Sequence, residues 1–210
     1  MKIMSTDSRT VKAEYFHALA TGWDEKVGNN GARREKLRSV FELIGIRPGD
    51  RVLDVGCGTG VLLRFIEEKT GPEGRILALD PAAGMIDRAM ELHREFGNIE
   101  YMVAFIEDAA LPDGGFDVAL CYAVLPHLDD IPRSLGALFR SLAPGGLLYI
   151  FHPDDTRTLN AFHAGLNAPV NHDMLPEEEA LRALLVKAGF TVLRYVDEPG
   201  LNFVECRKAR

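Results

Sequence analysis

The chain has 210 residues, 47% of them apolar and 26% charged, with a formal net charge of −7 from 24 basic and 31 acidic side chains. That composition suits one globular domain with a sizeable core, and the acidic excess speaks against nucleic acid as the main partner, because phosphate binding draws on clustered Lys and Arg. No window reaches the run of about 18 apolar residues that a membrane-spanning helix needs. Cys57, Cys121 and Cys206 are few and far apart. That spacing speaks against a disulfide framework or a thiolate zinc site and, with a polar N-terminal stretch, predicts a cytoplasmic protein.

In chain order, the pattern from about 10 to 46 predicts two helices separated by the turn-rich GNNG at 28–31. Arg33, Arg34, Lys36 and Arg38 on the second of these read as a solvated face. RVLDV (51–55) is a strand, followed by a helix from about 59 to 69. ILALD (76–80) is a second strand, followed by a helix near 83–96. IEYMVAF (99–105) and FDVALCYA (116–123) are the third and fourth strands, with a helix near 130–142 after the fourth. Pro144, Gly145 and Gly146 break that helix before a fifth strand, LLYIFH (147–152). A helix near 176–188 ends at Gly189, and TVLRYVDE and NFVECRK then flank Pro199 and Gly200 as an antiparallel hairpin. Strands that alternate with helices make a parallel sheet covered on both faces. The predicted fold is therefore α/β, Rossmann-like and doubly wound: a mostly parallel seven-stranded sheet, helices on both faces, and a C-terminal antiparallel hairpin.

The first strand runs into VLDVGCGTG (52–60). Glycines at such a strand-to-helix turn let a ligand approach the backbone closely, at the sheet edge where doubly wound folds bind ligands. The spacing of Gly56, Gly58 and Gly60 is GxGxG, one residue short of the dinucleotide fingerprint GxGxxG. Asp54 precedes the first glycine by two residues. A carboxylate there repels a pyrophosphate and suits a cationic ligand. Asp80 ends the second strand, about where a carboxylate meets ribose hydroxyls. Together these features ask for a nucleoside with a cationic, phosphate-free tail, and S-adenosylmethionine is such a molecule.

On these residues the chain resembles the class I S-adenosylmethionine-dependent methyltransferases of small-molecule type. VLDVGCGTG resembles that family's first motif and LALDPAAGMIDRA (77–89) its second. LPDGGFDVALCYAVLPHLDD (111–130) and LAPGGLLYIF (142–151) resemble its later strands. The resemblance implies methyl transfer to a small-molecule acceptor, with S-adenosylhomocysteine as product. It implies that Asp54 holds the methionine ammonium and that Gly56, Cys57, Gly58 and Gly60 form the loop along the methionine and ribose. Asp80 would bind the ribose hydroxyls, Pro81, Met85, Ile106 and Glu107 the adenine end, and Cys121 and Tyr122 would lie near the methyl group. AFIEDAA (104–110) departs from the family pattern, since Phe105 stands where an acid commonly contacts the adenine amino group.

One domain, 1–210, is expected: a helical lid at 1–46, a cofactor-binding core at 47–152, an acceptor-site insertion at 153–176, and a C-terminal helix and hairpin at 177–210. Tyr15, in AEYFHALATGWDE (13–25), is the candidate aromatic over cofactor and acceptor, with Trp23 as an anchor. His152, His163 and His172 in or beside the insertion are candidates for the acceptor pocket. No metal is expected, though convergence of those three histidines could hold one. His127 reads as a structural contact. No catalytic base stands out, and none is required unless the acceptor must lose a proton. The competing readings are a catalytically silent S-adenosylmethionine-binding or regulatory protein, and an NAD-dependent oxidoreductase on a related fold.

Overall fold

A computed structural model describes residues 8–27 and 31–209. Most of the polar N-terminal stretch (1–7) and residues 28–30 of the GNNG turn lie outside the described residues.

Three helices precede the sheet: α1 (Ser8–Leu19), a short α2 (Trp23–Lys26) and α3 (Gly31–Phe41). The core then runs β1 (Arg51–Val55), α4 (Leu63–Thr70), β2 (Arg75–Asp80), α5 (Ala83–Leu92), β3 (Ile99–Val103) and β4 (Phe116–Tyr122). It continues through α6 (Ile131–Ser141), β5 (Leu142–His152), α7 (Thr156–Ala164) and α8 (Glu178–Lys187), and closes with β6 (Phe190–Glu198) and β7 (Leu201–Lys208).

The seven strands form one sheet in the order β3-β2-β1-β4-β5-β7-β6. β1 to β5 pair in parallel, whereas β7 is antiparallel to both β5 and β6. The order reverses between β1 and β4, which opens a crevice at their carboxyl ends. Period-two alternation divides the sheet between two cores. Val52, Ile76, Val118 and Phe151 pack under α3, α4 and α5, while Leu53, Leu79, Ala119 and Ile150 pack under α6 and α8. The sheet edge that presents the crevice is therefore braced from both faces.

Three predicted boundaries shift for identifiable reasons. The loop after β1 makes two tight turns, Gly60 N–H to the Cys57 carbonyl (2.9 Å) and Leu63 N–H to the Gly60 carbonyl (3.0 Å), so α4 starts at 63 rather than 59. β5 starts at Leu142 rather than 147, because Leu142 pairs with Phe116 across a register shift. The Pro-Gly-Gly run thus lies inside a strand, where a Cβ on Gly146 would stand 2.9 Å from the Ala143 carbonyl and 3.1 Å from the Asp117 carbonyl. The stretch 153–176 contains a helix, α7, whose N-terminus is capped by Asp155 accepting the Thr158 N–H.

Candidate functional site

β1 delivers Asp54 to the crevice floor, and the chain then turns at Gly56 (φ +66°) and Gly58 (φ +54°). Both angles are in the left-handed region that only glycine adopts readily. A Cβ on Gly56 would stand 2.2 Å from a methyl of Val124. A Cβ on Gly58 would meet only the Trp23 indole nitrogen, at 3.9 Å, so this glycine faces open space under the N-terminal helices.

The amide groups of Gly56, Cys57 and Gly58 are already committed. The N–H groups of Gly56 and Cys57 both donate to the Leu79 carbonyl (2.8 and 3.1 Å). The Gly58 N–H donates to Asp80 Oδ2 (3.0 Å), and the Ala82 N–H donates to Asp80 Oδ1 (2.8 Å). A diphosphate would need those amides; a ligand that meets carboxylates does not. This decides against the dinucleotide reading more firmly than the glycine spacing does.

Asp54 is buried, and its Oδ2 has no hydrogen-bond partner among the described residues. A buried carboxylate oxygen without a partner is costly. Burial, and then the negative charge of Asp80, push its pKa up to about 7. Asp80 is pushed up to about 6 by burial, against the stabilising N–H groups of Ala82 and Gly58. Two buried acids side by side are what a cation can relieve. The residues present therefore fit an α-ammonium at Asp54 and hydroxyl groups at Asp80, whose oxygens still have lone pairs to offer.

A cavity of ≈ 140 Å³ opens over these two acids. Pro81, Met85, Phe105, Ile106 and Glu107 form one side of its lining, and Tyr122, Ala123, Val124 and His127 another. Glu107 accepts a hydrogen bond from the Ser134 hydroxyl. Phe105, which stands where the family commonly has an acid, lines the cavity and carries the Arg9 guanidinium 4.9 Å from its ring centroid, so it is a wall of the site. Ala123 holds φ +52°, a costly angle for a residue with a side chain, at the bend that brings Val124 over the loop. The roof is α1, which sets Arg9, Lys12, Ala13 and Phe16 on the cavity by helical spacing, with Trp23 from α2.

Several expected residues lie elsewhere. Tyr15 is one position round the helix from Phe16 and is not part of the lining; its ring meets the edge of Phe16 (5.3 Å) and the Lys26 ammonium (5.9 Å). The aromatic roof is Phe16 with Trp23. Gly60 (φ +86°) is outside the lining too, where a Cβ would meet Leu63 and His93 within 2.8 Å, so its role is a tight turn. Cys121 is fully buried in the core under α6, with its thiol pKa pushed far up by burial, while its neighbour Tyr122 reaches the cavity. Strand alternation separates that pair.

The three histidines do not converge. His152 is buried beneath the cavity wall, beside Tyr122 and Phe151, and burial followed by the charges of His127 and His163 pushes its pKa down to about 3. His163 is buried on α7. His172 is exposed, bonded to the Asn171 side chain. Among the described residues no group of three or more His, Cys, Asp or Glu side chains is arranged to hold a metal ion. The histidine that does line the cavity is His127. Its signal was its place just after a strand that ends at the crevice.

Comparison with known proteins agrees with this geometry. A family model described as a methyltransferase domain matches residues 30–195. The ubiquinone/menaquinone biosynthesis C-methyltransferase UbiE of Pseudomonas savastanoi pv. phaseolicola is 31% identical over 214 aligned residues, covering 87% of this chain and 82% of that protein. A SAM-dependent methyltransferase from Aquifex aeolicus superposes with a TM-score of 0.69 at 24% identity, over 87% of this chain and 95% of that one. The [4+2]-cyclase SpnF superposes with a TM-score of 0.76 at 18% identity, over 96% of each chain. The same architecture thus serves chemistry other than methyl transfer, and the acceptor must be read from the site itself.

Proposed function

Because the chain belongs to the methyltransferase-domain family and is a class I S-adenosylmethionine-dependent methyltransferase, we propose that it methylates a small phenolic or quinol-like ring seated between Phe16, Trp23, Tyr122 and His127. The bound cofactor supplies an electrophilic methyl group on a sulfonium. Asp54 holds the ammonium of its amino-acid end, and that pairing returns the buried carboxylate to its charged state. Asp80, fixed by two backbone N–H groups, accepts the ribose hydroxyls. Pro81, Met85, Phe105 and Ile106 bracket the adenine as an apolar slot. Methyl transfer is an in-line displacement, so most of the protein's contribution is orientation and exclusion of water. Phe16 and Trp23, packed edge to face at 5.6 Å, close the roof.

The observation that carries the cofactor assignment is the Asp54 oxygen that has no partner among the described residues, beside the spent amides of Gly56, Cys57 and Gly58. The acceptor proposal is supported by the aromatic and aliphatic lining and by the quinone-pathway C-methyltransferases among the relatives. The test is calorimetry with S-adenosylhomocysteine and with NAD, followed by transfer of a tritiated methyl group to a panel of phenols, hydroquinones, amines and thiols. Tight binding of the homocysteine compound and label on the hydroquinones support the reading. Label confined to amines or thiols overturns the acceptor class, and preference for NAD overturns the whole.

A further inference from the structure

His127 lines the cavity, and against it packs a buried carboxylate, Asp173, that cofactor binding does not use. His127 ends the short turn Leu125–His127, whose Leu125 and Pro126 are buried and whose His127 N–H donates to the Val124 carbonyl (2.8 Å). Its Nδ1 lies 2.7 Å from Asp173 Oδ2. Asp173 is buried, and its Oδ1 accepts from Lys12 Nζ at 2.8 Å. Lys12 also reaches Asp129 Oδ1 at 2.7 Å. Phe16 and His163 each meet the His127 ring at a centroid distance of 5.2 Å, so the imidazole is gripped by two rings as well as by a carboxylate.

We propose that His127 is the general base of the methyl transfer, that Asp173 is its positioning residue and is held in turn by Lys12, and that the acceptor is therefore a molecule that must surrender an O–H proton. The proposal rests on the methyltransferase reading above. Asp173 is ionised: burial opposes this, but the bonds from His127 and Lys12 outweigh it and hold its pKa below the usual carboxylate value. A carboxylate facing Nδ1 selects the tautomer with the proton on Nδ1, which leaves the Nε2 lone pair for the cavity that His127 lines. The charged or titratable groups around the ring come from every element packed on it. They are Lys12 of α1, Asp80 of β2, His152 of β5, His163 of α7, and Asp129 and Asp173 of the connecting segments. Burial lowers the pKa of both His152 and His163, so neither competes for the proton.

The step balances. The O–H proton of the acceptor passes to His127 Nε2. The electron pair left behind enters the ring and forms the new bond from a ring carbon to the methyl group, while sulfur keeps the pair of the old sulfur–carbon bond as a thioether. The ring C–H proton then leaves to water and the oxygen regains a proton, so one proton is released per methyl transferred.

The experiment uses the full chain loaded with S-adenosylhomocysteine. Heteronuclear NMR of isotope-labelled histidine reads the tautomer of His127 in the wild type, in Asp173→Asn and in Asp173→Glu. The expected result is an Nδ1-protonated neutral ring in the wild type, a change toward the Nε2-protonated tautomer in Asp173→Asn, and recovery in Asp173→Glu. With 1,4-dihydroxynaphthalene as probe acceptor, His127→Gln should lower kcat by about 100-fold or more, far more than it changes KM for the probe. Calorimetry on the same variant should give unchanged affinity for S-adenosylhomocysteine, which separates loss of the base from loss of the cofactor site. An Nε2-protonated neutral ring in the wild type, or a His127→Gln enzyme with wild-type kcat, overturns the proposal whatever the acceptor. Failure of the wild type to bind S-adenosylhomocysteine overturns the methyltransferase reading itself.

Discussion

The two ends of the cavity are built differently. The cofactor end comes from consecutive chain: β1, its glycine loop and the end of β2 place Asp54, Gly56, Gly58 and Asp80 within 27 residues, and backbone bonds hold them. The acceptor end is assembled from segments far apart in sequence, with Phe16 and Lys12 on α1, His127 after β4, His163 on α7 and Asp173 before α8, joined by side chains. A site held by backbone tolerates little change in any single residue. A site held by side chains can be retuned residue by residue, which suits the part of an enzyme that chooses its substrate.

The sharpest break of this contrast lies at Asp54. Asp54→Asn should weaken S-adenosylhomocysteine binding by about 2–4 kcal/mol, the size of a lost buried charge pair. The same variant should melt higher than the wild type at pH 8 without ligand, because the lone buried charge is gone; both are read by calorimetry. A variant that binds normally would remove Asp54 from the ammonium role. Next comes Asp80→Ala, expected to cost about 1–3 kcal/mol in cofactor affinity, from its charged hydrogen bonds. It should also loosen the loop, since Gly58 and Ala82 lose their acceptor, and hydrogen exchange at those two amides would report this.

The pH dependence sharpens the comparison without mutation. Asp54 has a folded pKa of about 7, against an ordinary value of 3.8, raised by burial and by Asp80. The folded, unliganded protein thus holds a proton that the unfolded chain releases first. Its stabilising contribution is present below about pH 4 and is lost as pH rises to about 7. Binding of an ammonium needs the ionised form, so affinity for S-adenosylhomocysteine should climb up to about pH 7 and then level off. A flat profile from pH 5 to 8 would contradict the assignment. The smallest effect separates neighbours on one helix. Phe16→Ala should raise KM for acceptor and cofactor, whereas Tyr15→Ala, off the cavity, should stay within about 0.5 kcal/mol of wild type in stability and leave kcat/KM intact. Equal losses would restore Tyr15 to the roof.

Legibility in the sequence followed the same division. Asp54, the glycines and Asp80 announce themselves because their spacing is local and their chemistry odd for a core strand. Phe16 was missed in favour of Tyr15 because adjacent positions on a helix differ by 100°, and only packing on α5 sets the rotation. Cys121 was placed at the site because a strand's end is readable while its facing parity is not. His152, His163 and His172 share a segment, which says nothing about where their rings point.

The succession of strands and helices, the mostly parallel sheet with its C-terminal hairpin, and the pair of acids beside the glycine loop were determined by the sequence alone, since hydrophobic period and turn chemistry act over a few residues. The bond between His127 and Asp173, its anchoring by Lys12, and the commitment of the loop amides to Leu79 and Asp80 were decided only by the tertiary structure. Those contacts depend on how separate elements rotate and close on one another, and that is set by the packing of the whole core.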